Sequence, residues 1–256
     1  MSHRFANYNG AALMAAPGFP GTRHSVIASL GSEQPDVRRA AFDALATAYW
    51  KPVFKYVRLK WSATPDEAAD VTQAFFLRAY EKTYLAGFDP ARGRFRTYLR
   101  TCLDRFVANV RQENRRLKRG GAIEFVPFDF AVAESELQRQ HIGDAVQELD
   151  AFFHREWLRS LFGLAVDRLR VACERGGHAR RVAIFERYDL ADDESTRPTY
   201  AVIASELGID VTDVTNELAA ARRDFRRVVL EVLREQCATD DEFENEARAL
   251  GSPRDL

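Results

Sequence analysis

The chain has 256 residues, 46% of them hydrophobic and 29% charged, and its formal net charge is −1. This length allows one large or two small domains, each with a core of its own, and the composition is that of a soluble globular protein. No run approaches the roughly 18 consecutive apolar residues that are needed to span a bilayer, which excludes a transmembrane protein.

The sequence also lacks the patterns of catalytic and metal sites. Its three cysteines, Cys102, Cys173 and Cys237, are far apart and never form a Cys-x-x-Cys pair, which argues against a disulfide framework and a zinc site. The five histidines never recur at a spacing of four, and no HExxH, glycine-rich phosphate loop or GxSxG motif is present. We therefore expect no enzyme, no cofactor and no metal.

Residues 1–21 are rich in Ala, Gly and Pro without the apolar core of a signal peptide, which predicts a disordered leader and a cytoplasmic protein. From Asp36 onward, apolar residues recur at helical spacing and strand alternation is nearly absent. An all-α fold follows. Within the first long helical segment, Pro52 is expected to be a kink or a boundary.

Three polar side chains, Glu67, Asp70 and Gln73, lie at three-residue spacing on one face of the next predicted helix. Such a row of hydrogen-bond acceptors suits docking onto a basic partner. The alternative is that the acids only favour the macrodipole at the start of this helix.

The segment Phe88–Gly121 combines dense positive charge with aromatic residues at helical spacing. Between Ala91 and Gly120 there are ten basic and two acidic residues, a local charge of +8 in a nearly neutral protein. This asymmetry predicts a nucleic-acid surface that neutralises phosphates. The alternative is a solvated arginine-rich face on an ordinary helix. The pair Gly120-Gly121 is expected to end the helix.

Seven acids against one base make residues 122–151 an acidic, irregular linker between two small helical domains. The second domain, residues 152–236, contains the pattern of a helix-turn-helix in Thr199–Val229, with the turn at Gly208-Ile209 and Asp210 as the cap of the longer helix. Residues 237–256 form an acidic tail, which is either a solvated cap or an interaction segment.

The stretch PDEAADVTQAFFLRAYEKTYLAGFDPARGRFRTYL, Pro65–Leu99, resembles the second conserved region of bacterial RNA polymerase sigma factors of the extracytoplasmic-function type, within the sigma-70 family. The helix-turn-helix segment resembles the fourth conserved region of the same family. The resemblance divides the chain into a leader (1–21), a region-2-like domain (22–121), a linker (122–151), a region-4-like domain (152–236) and a tail (237–256). It implies binding to core RNA polymerase and to promoter DNA, both double-stranded and melted.

By this resemblance, the face with Glu67, Asp70 and Gln73 meets the clamp helices of the polymerase. An unstacked base needs an aromatic wall and flanking cations. The residues that supply them, and those expected to contact the downstream promoter element, are Phe88, Arg92, Arg94, Phe95, Arg96, Tyr98, Asn109, Gln112, Arg115, Arg116 and Lys118. For Phe95 and Tyr98 the alternative is a place in the core.

In the second domain, Thr212, Thr215, Asn216 and Ala219 are expected to face the major groove of the upstream element, and Arg222, Arg223, Arg226 and Arg227 to face phosphates. Ala69 stands where many relatives carry an acid, so a kinase acting on Thr64 or Thr72 is a candidate partner. Thr215, Ala219 and Ala220 stand where relatives carry cations, which suggests a helper protein on upstream DNA. An anti-sigma factor is a third candidate partner.

Two other functions fit the same residues. A stand-alone helix-turn-helix regulator would bind double-stranded DNA without polymerase. A protein-binding adaptor would show no salt-dependent affinity for DNA. The sequence leaves the choice open, although the resemblance favours the sigma factor.

Overall fold

The computed structural model describes residues 25–113, 126–140, 148–191 and 197–250, and every regular element in these ranges is helical. The prediction of an all-α fold is confirmed. No helix in these ranges is long and apolar enough to cross a membrane. The helices are α1 (Val26–Ser29), α2 (Pro35–Lys60), α3 (Pro65–Lys82), α4 (Phe95–Glu113), α5 (Phe130–Gln138), α6 (Leu149–Arg175), α7 (Ala179–Asp189), α8 (Tyr200–Leu207), α9 (Val211–Glu235) and α10 (Asp240–Ala249).

Several expectations lie outside the described residues. These are the leader 1–21, the glycine pair Gly120-Gly121, and the end of the basic segment with Arg115, Arg116 and Lys118. The described chain forms two compact units. The larger contains the described residues between 14 and 160 together with 233–249, and the smaller contains the described residues between 161 and 232 together with Leu250.

The larger unit is built around α2, whose buried residues extend from Ala41 to Val57. Pro52 lies inside this helix, which continues to Lys60, so it is not a boundary. Trp50 of α2 stacks on Phe128 with ring centroids 5.2 Å apart, and its edge meets Phe130 at 5.6 Å. Phe54, one helical turn further on, also contacts Phe130. Because aromatic pairs at these distances bury large apolar areas, the chain around residues 128–130 is anchored on α2.

The expectation of an irregular linker is wrong for residues 130–138, which form α5. The side chain of Asp129 caps this helix by accepting from the backbone N–H of Val132 (3.0 Å). Two of the acids that suggested an irregular linker are paired with basic residues of α2. Glu134 accepts from both the Nε and Nη2 of Arg58, and its pKa is lowered by that hydrogen bonding. Glu136 lies between two lysines of α2.

Lys55 is the most buried cation of this network, with a relative exposure of 1%. Its ammonium group donates to Glu136 and to Glu156 of α6, at 2.7 Å in both cases. Lys51 donates to the other oxygen of Glu136 at 2.6 Å, and burial lowers the pKa of Lys51. A charge this deep is tolerated only when it is paired and hydrogen-bonded. The acids of α5 and α6 therefore neutralise the buried cations of α2.

The smaller unit contains the predicted helix-turn-helix. Thr199 caps α8 through the N–H of Val202, and Gly208 ends it in the left-handed conformation (φ 64°) that a glycine adopts without strain. Asp210 then accepts from the N–H of Val211 at the start of α9. The buried face of α9 begins with Val214, Leu218, Ala221 and Phe225 and continues through Val228, Val229, Val232 and Leu233.

Replacing Lys55 with Ala should lower the free energy of unfolding by about 3–5 kcal/mol, because Glu156 and Glu136 then remain buried with one partner fewer. The control is Arg39→Ala, which removes a partly exposed pair with Asp43 and a contact with the ring of Tyr80, and which should cost about 1 kcal/mol. Urea unfolding followed by circular dichroism measures both changes. Equal small losses would show that the network does not hold α5 and α6 to α2.

Candidate nucleic-acid interface

The acidic face of α3 starts with a capping box. The backbone N–H of Glu67 donates to Thr64 Oγ1 (3.3 Å), and the N–H of Thr64 donates back to Glu67 Oε2 (2.9 Å). This hydrogen bond lowers the pKa of Glu67. Asp70 and Gln73 are exposed further along the same helix. Glu67 thus stabilises the helix start, whereas Asp70 and Gln73 are available to a partner.

The two threonines named as candidate phosphorylation sites differ in accessibility. Thr72 is fully buried, and its hydroxyl donates to the carbonyl of Ala68 (2.7 Å). Thr64 is exposed at the helix cap. Of these two hydroxyls, only that of Thr64 can reach the active site of a kinase without unfolding α3.

The turn ahead of α4 is fixed by local backbone geometry. Two short 3₁₀ turns, Tyr84–Gly87 and Pro90–Arg92, precede Gly93. The backbone of Gly93 has φ 134° and ψ −159°, a conformation that essentially only glycine adopts. A Cβ atom at Gly93 would meet no atom within 4 Å, so glycine is required by the backbone and not by crowding. This turn leaves the side chains of Arg92 and Arg94 exposed.

The aromatic residues of this turn do not all face outward. Phe95 is fully buried, with its ring 5.9 Å from Tyr49 and 5.2 Å from Phe88. It therefore occupies the core, which was the alternative considered for it. Phe88 and Tyr98 are half-buried and 5.6 Å apart, and the Tyr98 hydroxyl donates to the carbonyl of Tyr84 (2.7 Å). An aromatic wall for an unstacked base would consist of these two rings.

Arg96 is also not where the sequence pattern suggested. Its side chain is 9% exposed, because Glu246 of α10 lies 2.6 Å from its guanidinium and the guanidinium stacks 4.9 Å from the centroid of Trp157. Glu246 also contacts Nε of Arg94 at 2.9 Å, and the backbone N–H of Phe95 donates to Glu242 Oε1 at 3.1 Å. These contacts were not predicted from the sequence, although the acidic tail and the basic turn were two complementary signals for them.

Along α4, the buried side chains Leu99, Leu103 and Val107 point to the core. Asn109 and Gln112 are exposed on the outer side. Arg111 is held at the surface by Trp61, over whose ring its guanidinium lies at 4.9 Å. Because their side chains are exposed, Asn109 and Gln112 are available for base contact.

The start of α9 presents the predicted groove face. Thr212, Thr215, Asn216 and Ala219 are all exposed. The four arginines that are expected to contact phosphates differ in their surroundings. Arg222 makes two hydrogen bonds of 2.8 Å to Asp189, and Arg227 is 2.8 Å from Glu231, whereas Arg223 is exposed and Arg226 is half-buried. DNA would therefore compete with internal carboxylates for Arg222 and Arg227.

Comparison with known protein families gives one match. Residues 45–117 match the family described as sigma-70 region 2, which covers α3, α4 and part of α2. No curated protein and no solved structure gives a significant match. The match covers less than a third of the chain and shows a likeness to the second conserved region of sigma-70 proteins, which bind RNA polymerase and melt promoters. Proteins of this kind are transcription initiation factors.

Replacing Thr64 with Ala should destabilise the larger unit by about 1 kcal/mol, the usual contribution of a side-chain cap. The control is Thr97→Ala, at an exposed position of α4, which should change the free energy of unfolding by less than about 0.5 kcal/mol. Urea denaturation compares the two variants. A Thr64→Ala protein as stable as the parent would show that the capping box contributes nothing to α3.

Proposed function

We propose that this chain, with its match to sigma-70 region 2, is a sigma factor of the extracytoplasmic-function type that acts in the cytoplasm with core RNA polymerase. The observation that carries the proposal is that the matched segment presents an exposed acidic face on α3 and a basic, aromatic turn ahead of α4. The first suits a protein partner and the second suits melted DNA.

Polymerase binding is assigned to Asp70 and Gln73, with Glu67 as the residue that holds the start of their helix. Both assigned side chains are exposed, and they are neighbours on one face of α3. Ala69 adds no charge to this face, so the contact depends mainly on Asp70. A phosphate on Thr64 would add negative charge at the start of α3, where the helix dipole favours an anion.

Promoter contacts are assigned to three surfaces. Phe88 and Tyr98, with Arg92 and Arg94, hold an unstacked base and its flanking phosphates. Asn109 and Gln112 contact the downstream element, together with the basic segment that includes Arg115, Arg116 and Lys118. The upstream element is contacted by the start of α9, through Thr212, Thr215, Asn216, Arg222, Arg223, Arg226 and Arg227.

The neutral groove face of α9 has a consequence for partners. Thr212, Thr215 and Asn216 provide hydrogen bonds but no charge, so affinity for upstream DNA is low in the absence of polymerase. A helper protein bound upstream would compensate. Co-purification of the full chain with core RNA polymerase tests the proposal, and an anti-sigma factor would appear as a competitor of that binding. A stand-alone regulator would instead shift promoter duplex without core enzyme.

Replacing Asp70 with Lys should weaken binding to core RNA polymerase at least about tenfold, because an acid that faces a basic partner becomes a like charge. The matched control is Glu81→Lys, the same charge reversal at an exposed position near the end of α3. Asp70→Lys and its control test the contact more directly than a change at Glu67, because a change at Glu67 would also break the capping box. Titration of labelled core enzyme with each full-length variant gives the ratio, and equal affinities would contradict the assignment.

Replacing Ala219 with Arg should strengthen binding of the full chain to labelled duplex DNA about tenfold and raise the salt slope by about 1, because the new side chain reaches a phosphate or a guanine edge. The dissociation constant of the parent chain is expected to be about 10⁻⁴–10⁻⁶ M at physiological salt. Ala183→Arg adds the same charge at an exposed position of α7 and serves as the control. Fluorescence anisotropy at several salt concentrations measures both. The groove assignment fails if the two variants gain equally, or if the parent already binds one duplex selectively at nanomolar concentration.

A further inference from the structure

At the start of α4, carboxylates from α10 contact a backbone amide and two arginine side chains. The backbone N–H of Phe95, at the first position of α4, donates to Glu242 Oε1 (3.1 Å). Glu246 lies between Arg96 (2.6 Å) and Arg94 (2.9 Å). Both acids come from α10, a helix of ten residues near the C-terminus.

The physical reason for this pairing lies in α4 itself. The first turn of α4 contains no acidic residue. The side chain of Arg94, which precedes the helix, cannot accept a hydrogen bond from the free backbone N–H groups at the helix start. The partial positive charge at the helix start and two guanidinium groups thus converge on one place. Elsewhere such an arrangement binds phosphate groups. Here the carboxylates of Glu242 and Glu246 contact the free amide and the two guanidinium groups.

The contact between α10 and the start of α4 is buried on one side and exposed to solvent on the other. The side chain of Glu246 is only 3% exposed and that of Arg96 only 9%, and the guanidinium of Arg96 lies over Trp157. The side chain of Arg94, by contrast, is 48% exposed. An approaching polyanion can therefore contact Arg94 before Glu246 has left. Asp241 and Glu244 are exposed on α10 and add negative charge that repels such a polyanion.

We propose that α10 is an intramolecular competitor of single-stranded DNA, with Glu242 and Glu246 covering the start of α4 until the phosphates of a melted strand displace them. This proposal deepens the function proposed above for Arg94 and the turn around Phe88. It identifies Arg96 as a DNA-binding cation only in the state in which α10 has left. A helix of ten residues is marginal on its own, so displaced α10 loses its contacts and its helical structure together.

A pair of double variants of the full chain tests the competition. Glu242→Gln with Glu246→Gln removes the two charges that cover α4, while Asp241→Asn with Glu244→Gln removes two exposed charges of the same helix. We expect the first variant to bind a fluorescein-labelled oligo-dT of about twenty nucleotides at least about tenfold tighter than the parent at physiological salt, and the control to change less than about threefold, because screening weakens exposed charges most. Circular dichroism checks that all three proteins are folded.

Cys237 supplies a second measurement that does not depend on mutation of α10. It is 2% exposed, and burial together with the charges of Glu242 and Glu246 raises its thiol pKa to about 12. Departure of α10 removes these causes, so the thiolate fraction and the rate of alkylation by iodoacetamide should rise. We expect oligo-dT to accelerate alkylation at Cys237, located by mass spectrometry, with Cys173 as the buried reference in the smaller unit.

The outcomes separate the inference from the proposed function. Equal oligo-dT affinities for the parent and both variants, no measurable binding by any of them, or binding without faster alkylation of Cys237 would overturn the role of α10. A chain that fails to bind core RNA polymerase would overturn the sigma-factor proposal, while the oligo-dT and alkylation results still decide whether α10 competes with a single strand.

Discussion

The buried ammonium group of Lys55 is the constraint on which the larger unit depends. Lys51, Lys55 and Arg58 lie at positions i, i+4 and i+7 of α2, and the first two are buried. A cation without a partner at that depth is too costly for the fold to keep. Glu136 and Glu156 satisfy it from two other segments, so α5 and the start of α6 are held against α2 by charge as well as by the aromatic contacts of Trp50.

Local sequence patterns predicted the structure correctly wherever neighbouring residues determine it. Helical spacing predicted the all-α fold, and Gly208 with Asp210 marked the turn between α8 and α9. Thr64 and Glu67 also carry the spacing of a capping box, a signal that was available in the sequence. The sequence pattern failed for α5, because its acids suggested an irregular linker, whereas their partners lie 76 to 85 positions earlier in the chain. It failed for Arg96 for the same reason, since Glu246 is distant in sequence.

Internal neutralisation recurs at the surfaces assigned to DNA. Arg96 is paired with Glu246 in the larger unit, and Arg222 is paired with Asp189 in the smaller one. A protein whose sequence is nearly neutral can in this way carry strongly basic segments without binding every polyanion it meets. A DNA phosphate that binds such an arginine replaces an existing ion pair. The net gain in binding free energy is therefore smaller than the number of arginines suggests. Selectivity consequently depends on which pairs a given strand can reach.

The ends of α3 and its inner side are fixed by residues other than Asp70, Gln73 and Ala74, and this separation matters for how the protein can change over time. Ser62 and Thr83 flank the helix with positive φ angles of 48° and 50°, while Ala68, Thr72, Phe75, Phe76 and Ala79 anchor its inner side. The length and rotation of the helix are therefore set by its flanking and buried residues. Exposed positions such as Gln73 and Ala74 can mutate with little effect on folding. Natural selection can thus strengthen or weaken the affinity of this surface in small steps, while the scaffold beneath it stays the same.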